Sequence, residues 1–440
     1  MEGVAEPARL APSTVLPPRD ITLITPETPT TELIAEGTFA DLGVADDLVA
    51  ILNERGIEAP FPIQALTIPD ALAGRDVTGK AKTGSGKTLA FGLPIVQSIT
   101  KAAKGRPQAL VLVPTRELAN QVAGELEPLA AARGFSLIAV YGGASMGKQI
   151  EAFRRGVEIV VATPGRLIDL MERKVMSLSD VAYVTIDEAD QMADMGFLPQ
   201  VRRIMRTVEG DHHTMLFSAT LDGQVGTLIS SYMDDPVAHE VVSSTEMVDT
   251  MSHRFLKVHY MDKAKVAAAI AAGADRTLVF VRTKHGCDRT AADLRDLGVE
   301  AKAIHGDLPQ YKREKALESF AAATTPVLVA TNVAARGLHV EGVDIVIHFD
   351  PPDDPKTYLH RSGRTARAGE SGLVVTLVEW DQVNEVIRIQ RQAGLNVPMV
   401  KMFSNDERLA DLSNWHPSEE DAPIKAATGR PLGRRRRRRL

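Results

Sequence analysis

The chain has 440 residues, of which 44% are hydrophobic and 25% charged. That is too long for one ordinary core and too apolar for a mostly disordered or collagen-like chain. Lys plus Arg is 51 against 57 Asp plus Glu, a net charge of −6, and this acidic balance taken whole argues against a nucleic-acid binder.

The charge is unevenly spread along the chain. Residues 1–37 are rich in Pro, Thr and Glu, with Pro7, Pro12, Pro17, Pro18, Pro26 and Pro29, and show no apolar periodicity. They read as a mobile, disordered arm. They lack the basic-then-apolar layout of a signal peptide, and no run in the chain reaches the roughly 18 apolar residues needed to span a bilayer. A cytoplasmic protein without a membrane partner is expected.

Over residues 38–242, short β-branched runs alternate with helical stretches. Strands are predicted at Ala109–Val113, Leu137–Tyr141, Glu158–Ala162, Tyr183–Ile186 and Thr214–Phe217. This alternation predicts a parallel sheet with helices on both faces, and continuously apolar runs such as Leu110–Val113 suit a doubly covered sheet. Residues 243–252 read as a polar linker. The alternation resumes over 253–400, with strands predicted at Thr277–Val281, Ala301–Ile304, Val327–Ala330, Ile345–His348 and Leu373–Val378. Cys287, the one cysteine, follows the first of these. It excludes an internal disulfide and a cysteine-based zinc cluster, fits a reducing compartment, and is expected to be a buried, inert thiol. Trp380 and Trp415 are expected to be packing residues, and His212 and His213 loop residues rather than metal ligands. Residues 401–440 read as a polar tail ending in six arginines, Arg434 to Arg439. Without those six the balance is 45 basic against 57 acidic, or −12. The result is two α/β domains of similar size between two tails. Almost every predicted strand runs into polar or glycine-rich sequence, and open parallel sheets bind ligands at that edge.

Three motifs carry chemistry. The string Ala81-Lys82-Thr83-Gly84-Ser85-Gly86-Lys87-Thr88 is a P-loop with Ala at the usual first glycine. Its glycines let backbone N–H groups cradle phosphate oxygens at a helix N-terminus. Lys87 reaches the β and γ phosphates of ATP, and the Thr88 hydroxyl can hold Mg²⁺. The apolar run Val184–Ile186 ends in Asp187-Glu188-Ala189-Asp190, where Asp187 would bind Mg²⁺ largely through water and Glu188 would orient or deprotonate the attacking water. Taken alone, such an acidic cluster also reads as a helix N-cap. In the second domain, His360-Arg361-Ser362-Gly363-Arg364-Thr365-Ala366-Arg367 spaces three arginines by three. A helix or tight turn would put them on one face, either as a solvated basic surface or as arginine fingers for the transferring phosphoryl group. In the latter case hydrolysis requires the two domains to close on ATP.

With these motifs in this order, the chain resembles a DEAD-box RNA helicase of superfamily two, of a bacterial type with short tails. Asp187-Glu188-Ala189-Asp190 is the box itself, and matching motifs run from about Phe39 to Gly369. The resemblance implies two tandem RecA-like domains with ATP and RNA bound across the cleft between them. Gln64 of Pro62–Ile63–Gln64 would read the adenine edge, to which a side-chain amide offers both donor and acceptor, and Phe39 would stack on the base. Pro114, Thr115 and Arg116, then Gly142 and Gly143, then Thr163, Pro164, Gly165 and Arg166 resemble RNA-backbone contacts. Ser218 and Thr220, in Ser218-Ala219-Thr220, resemble the motif that couples hydrolysis to strand separation. In the second domain Arg282, Thr283, Gly306, Asp307, Gln310, Arg313 and Thr331 resemble RNA contacts. Gly337 and His339 resemble ATP contacts, Arg364 and Arg367 the two fingers, and His360 a further member of the catalytic set. The implied activity is ATP-dependent RNA unwinding and remodelling, on single strands and short duplexes without sequence preference. Loops gripping phosphates and 2′-hydroxyls suit that substrate. A monomer is expected, with ribosome-assembly or RNA-decay proteins as partners.

Some positions depart from the family pattern: Lys82 for a common Gln, Asn332 for a frequent Asp, Ala366 for a common Gly, and His339 where Asp is usual near the ribose. A carboxylate accepts freely from a ribose hydroxyl, whereas a neutral histidine accepts through one nitrogen, so a raised ATP requirement is expected. The arginine run reads either as a solubilising end or as an arm that binds RNA phosphates non-specifically. Two other activities remain open from sequence: a non-catalytic ATP-dependent RNA clamp, and a DNA translocase of the same superfamily.

Overall fold

The computed structural model describes residues 37–81, 84–241, 251–335, 343–365 and 372–417. The first lobe begins with helices α1 (Asp46–Glu54) and α2 (Pro62–Leu72) and continues as β1 (Val77–Lys80), α3 (Lys87–Ser98), β2 (Ala109–Leu112) and α4 (Arg116–Ala132). Then come β3 (Leu137–Val140), α5 (Met146–Arg155), β4 (Ile159–Ala162), α6 (Pro164–Glu172), β5 (Tyr183–Asp187), α7 (Ala189–Asp194), α8 (Leu198–Met205), β6 (His213–Ser218), α9 (Gly223–Tyr232) and β7 (Val237–Glu240). The second lobe runs β8 (Met251–Lys257), α10 (Lys263–Ala271), β9 (Thr277–Val281), α11 (Lys284–Asp296), β10 (Ala301–Ile304), α12 (Gln310–Ala321), β11 (Val327–Thr331) and α13 (Asn332–Ala335). It ends with β12 (Ile345–His348), α14 (Pro355–Ser362), β13 (Gly372–Val378), α15 (Val383–Gln392), β14 (Met399–Lys401) and a 3₁₀ turn, Glu407–Asp411.

Each lobe is one seven-stranded sheet, in the orders β3-β4-β2-β5-β6-β1-β7 and β10-β11-β9-β12-β13-β8-β14. Every pairing between these strands is parallel. Strand alternation explains why the runs are continuously apolar. In β2, Ala109 and Val111 enter the core on one face while Leu110 and Leu112 enter the core on the other. In β9, Val279 and Val281 face one core and Leu278 and Phe280 the other. Because all strands point one way, their carboxyl ends form a single edge in each lobe, and the expected motifs leave the sheets there.

The structure extends the sequence reading at several places. Strands β1, β7, β8 and β14 have no counterpart among the predicted runs; Val77–Lys80 contains Thr and Gly and was masked by its shortness. Met251 and Ser252, read as linker, begin β8. Residues 401–417, read as part of a polar tail, belong to the second lobe: Met402, Leu409 and Leu412 are buried in its core. Arg254, buried in β8, donates from Nε to the Leu412 carbonyl at 3.1 Å and from Nη2 to Ser413 at 3.3 Å. Trp415 packs partly buried against the same core. Trp380, expected to pack, is 55% exposed instead. His213 is the first residue of β6 rather than a loop residue, with its ring 5.3 Å from that of Tyr183. Cys287 is buried in α11 and donates to the Val329 carbonyl at 2.8 Å; burial pushes its thiol up to about 12, so it is inert. The arm 1–36, linker residues 242–250 and the arginine run lie outside the described residues.

Candidate active site

The P-loop leaves β1 and turns into α3. Gly84 and Gly86 take left-handed backbone angles, φ 84° and 79°, which glycine adopts without a Cβ penalty. A Cβ on Gly86 would lie 2.4 Å from Gln64 Nε2 and 2.7 Å from Phe61 Cδ2, so a side chain there would break the contact between the loop and α2. Gln64 is buried. Its Nε2 donates to the Gly86 carbonyl at 2.8 Å and its Oε1 accepts from the Phe61 N–H at 2.8 Å. One amide hydrogen and one lone pair are left for a ligand. Lys82 and Thr83 lie outside the described residues.

Lys87 and Glu188 meet across the site. The Lys87 ammonium lies 2.7 Å from Glu188 Oε1 and 3.3 Å from the Ala81 carbonyl. Burial alone would lower the Lys87 pKa, but Glu188, Asp187 and Asp190 together raise it, so the lysine is charged. Glu188 sits at φ 51° and ψ 50°, a left-handed backbone that costs a non-glycine residue about 1 kcal/mol or more. The Asp187 Oδ1 accepts the Glu188 N–H at 2.9 Å, which helps hold that turn. Burial pushes the Asp187 carboxyl up to about 7, against the opposing pull of Lys87.

A buried carboxylate so poorly neutralised is a fit for a bound cation. Asp187 and Thr88 offer hard oxygen donors, and both are buried beside the P-loop. Magnesium is commonly held by one or two carboxylates with water and substrate phosphates completing the shell. Among the described residues no group of three or more His, Cys, Asp or Glu could hold a metal, so phosphate and water would have to supply the rest. Burial raises the Glu125 carboxyl of α4, with the Thr88 hydroxyl and then the Arg55 charge acting against it.

Strand β6 lies between β1 and β5 and carries the link between their loops. The Ser218 carbonyl accepts from the Ala81 N–H at 3.1 Å. The Ser218 hydroxyl accepts from the Asp190 N–H at 3.1 Å and from the Thr220 N–H at 3.4 Å. One buried residue therefore ties the P-loop, the acidic box and the Ser-Ala-Thr turn together.

The second lobe reaches the same place through α14 and the turn after it. The Glu188 charge acts on Arg364, whose pKa is lowered by burial and raised again by that carboxylate. Burial lowers the His360 pKa, with Asp190 and then Asp194 among the charges acting on it. Lys356 pairs with Asp194 at 3.1 Å. Lys356, His360 and Arg364 are thus each acted on by acids of the first lobe. Of the three arginines expected on one face, Arg361 lies in α14 and Arg364 in the turn after it, since α14 stops at Ser362, and the two take different partners. Arg361 turns into its own lobe, with Nε 2.6 Å from Asn332 Oδ1, Nη1 2.7 Å from the Asp350 carbonyl and its guanidinium 5.1 Å from the centre of the Phe280 ring. Burial lowers its pKa to about 10. Asn332, in place of the usual Asp, still supplies the oxygen that Arg361 needs. Arg367, Gly337 and His339 lie outside the described residues.

The remaining expected positions line the two strand edges. Thr115 caps α4, accepting from the Leu118 N–H at 3.2 Å. Arg116 packs over the glycine pair: a Cβ on Gly143, at φ 93°, would lie 2.5 Å from Arg116 Nη1. Thr163 and Pro164 start α6 with Gly165 following. Arg166 is tied within its lobe, donating from Nη1 to Gln149 Oε1 at 3.2 Å and to the Ala144 carbonyl at 3.3 Å. Pro114 lies in the turn after β2, Thr283 caps α11, and Thr331 accepts from the Ala334 N–H at 3.4 Å. Arg282 pairs with Asp353 at 2.9 Å, and Lys284 with Asp307 at 2.6 Å beside the exposed Gly306. Gln310 donates to Glu314 Oε1 at 3.1 Å.

Two expectations are corrected. Phe39 is 1% exposed, inside the first-lobe core with Val44 and Leu48, so it offers no ring face to a base. The aromatic at the loop is Phe61, 38% exposed and three residues before Gln64. Arg313, expected on RNA, is buried and pairs across the lobes with Glu117 of α4 at 2.8 Å. Glu117 has no mark in the sequence beyond being an acid in the first turn of α4, a signal too common in helices to single out.

Residues 61–228 match the family model described as "DEAD/DEAH box helicase" and residues 262–369 the one described as "Helicase conserved C-terminal domain". The chain is 39% identical over 375 residues to "DEAD-box ATP-dependent RNA helicase CshA" of Bacillus subtilis, covering 84% of this chain and 76% of that one. It is 39% identical over 366 residues to the mitochondrial "DEAD-box ATP-dependent RNA helicase 9" of Arabidopsis thaliana, covering 81% of this chain and 60% of that protein, less than two thirds of its length. The fold matches that of Saccharomyces cerevisiae Dbp5 bound to RNA and ADP BeF3, with TM-score 0.72 and 28% identity over 84% of this chain and 96% of that one. Both sheets are therefore RecA-like and stand in tandem. Among the described residues no helix is long and apolar enough to cross a membrane.

Proposed function

This chain belongs to the DEAD-box ATP-dependent RNA helicases, and on that premise we propose how its own residues carry out RNA-stimulated ATP hydrolysis. The observation that carries the reading is the Lys87–Glu188 pair at 2.7 Å with Arg364 arriving from the other lobe. Glu188 holds the lysine. The β and γ phosphates of ATP compete for Lys87 and for the P-loop N–H groups, releasing the Glu188 carboxylate to accept a proton from the attacking water. Arg364 then lies where charge grows on the transferring phosphoryl group, with Arg367 proposed as its companion. Magnesium held through Thr88 and Asp187 would neutralise phosphate charge.

Gln64 reads the adenine edge with the amide groups it has left, and Phe61 takes the stacking role. RNA runs along the carboxyl edges of both sheets, over Thr115, Arg116, Gly142, Gly143 and Thr163 to Arg166 in the first lobe. In the second it meets Arg282, Thr283, Gly306, Asp307, Gln310 and Thr331. Ser218 transmits the state of the nucleotide to this track, because its hydroxyl holds both Asp190 and Thr220. Closure bends one strand, neighbouring base pairs open, and hydrolysis resets the lobes. A monomer working in the cytoplasm, on RNA of ribosome assembly or decay, completes the reading.

The test is ATP turnover by the full chain with single-stranded RNA, with single-stranded DNA of the same sequence, and with neither. Strong stimulation by RNA alone is expected. Stimulation by DNA alone would replace this reading with a DNA translocase, and no hydrolysis under any condition would leave a clamp.

A further inference from the structure

We propose that the second lobe carries an auxiliary platform for single-stranded RNA at the carboxyl ends of β13, β8 and β14, built from Trp380, Phe403, Lys257 and Lys401. It rests on the RNA reading of the cleft and extends it beyond the motif loops. Trp380 is 55% and Phe403 49% exposed, whereas large aromatic rings ordinarily contribute their area to a core. The lysines are set against the rings. The Lys257 ammonium is 4.1 Å from the Trp380 ring centre, and Lys401 is 4.7 Å from that of Phe403 and 5.9 Å from that of Trp380.

The platform sits on a rigid frame. Strand β8 lies between β13 and β14, with Lys257 in register with both Val378 and Lys401. The Met402 N–H donates to the Lys257 carbonyl at 3.0 Å. Ser404 fixes the turn after Phe403, donating from its N–H at 2.8 Å and its hydroxyl at 2.7 Å to the Asp262 carboxylate. Of the neighbouring acids, Asp350 and Glu379 are held by Lys263 at 3.1 and 2.8 Å; Asp381 is exposed beside Trp380.

Aromatic rings interleaved with cations are the chemistry of single-strand binding: bases stack on rings and phosphates meet lysines. Position points to the same occupant. These strand ends lie on the sheet edge that also carries Arg282, Thr283, Gly306 and Thr331. Strands β9 and β8 are three steps apart in the sheet, about 15 Å at the usual strand spacing. A strand leaving the cleft reaches the platform within a few nucleotides.

The chain has two tryptophans, so Trp415→Phe leaves Trp380 as the fluorescent reporter. The full-length variant, with a non-hydrolysable ATP analogue, is titrated with single-stranded RNA of about 6 and of about 25 nucleotides. Only the longer RNA is expected to quench Trp380. In the wild-type background, Trp380→Ala with Phe403→Ala is expected to weaken binding of the longer RNA about fivefold to a hundredfold. Turnover stimulated by the shorter RNA is expected to stay unchanged. Stimulated turnover without quenching by the longer RNA would overturn the platform and leave the cleft reading intact. Quenching by polyglutamate but not by RNA would overturn it in favour of an acidic protein partner. Failure of either RNA to stimulate turnover would overturn the cleft reading itself, and the platform with it.

Discussion

Lys87, Glu188 and Arg364 form one electrostatic unit supplied by both lobes, and its members have different jobs. Arg364→Ala removes charge stabilisation that arises only as the phosphoryl group transfers, so RNA-stimulated kcat should fall roughly a thousandfold or more with the KM for ATP little changed. Glu188→Gln keeps the shape and the hydrogen bond but loses the base. Steady-state turnover should vanish while ATP-dependent RNA retention persists. A large rise in KM for Arg364→Ala, or normal turnover in Glu188→Gln, would contradict these roles. The residue types were readable from sequence because a P-loop and an acidic box are contiguous strings with fixed spacing. Phe39 was misplaced for the opposite reason. An aromatic ahead of Gln64 can serve a base or a core, and only packing, which buries it in the core that holds Leu48, separates the two. Arg361 likewise looked equivalent to Arg364 until the end of α14 separated them.

Helix α14 rests on a buried polar layer that the sequence did not announce. The His253 Nδ1 lies 2.7 Å from the Tyr358 hydroxyl, Thr376 is 3.2 Å from His348 Nδ1, and the His348 and Tyr358 rings meet edge-on at 4.9 Å. Burial lowers the His253 pKa from 6.5 to about 4, with the charge of Arg254 adding to it, and holds His348 well below its ordinary value. The unfolded chain therefore takes up protons first as pH falls. Stability supplied by the neutral histidines is complete above pH 6.5 and declines towards pH 4, by up to about 3 kcal/mol for His253. Thermal unfolding between pH 7 and 4 should show the second lobe losing stability in that window, and His253→Gln should flatten part of the slope. An unchanged slope would remove His253 from the account. The strands themselves were readable where both faces are covered, as in β2 and β9, because burial on two sides forces an unbroken apolar run. Strand β7 and the short β14 lie at sheet edges, and β1 carries Thr78 and Gly79, so composition did not mark them.

Between the lobes, Glu117–Arg313 and Asp194–Lys356 join residues nearly 200 and just over 160 positions apart in sequence. No local pattern reports such pairings, which is why the cleft was inferred from family order rather than read from spacing. The two pairs differ in burial. Lys356 and Asp194 are partly exposed, and such a pair contributes little. Glu117 and Arg313 are both buried, so removing one strands the other. Each of Glu117→Ala and Arg313→Ala should raise the RNA concentration needed for half-maximal turnover, and the double variant should cost clearly less than the sum. Simple additivity would mean the pair does not hold the lobes together. An overall charge of −6 is compatible with this work on RNA, because the grip is assembled from backbone N–H groups, hydroxyls and a few placed cations along one edge. What separates a helicase from an ATP-dependent clamp on the same fold is strand separation. The decisive measurement is the release of a labelled strand from a short RNA duplex by the full chain, with and without ATP. ATP should drive release in the wild type and not in Arg364→Ala; release without nucleotide, or RNA-stimulated hydrolysis with no release, would contradict it.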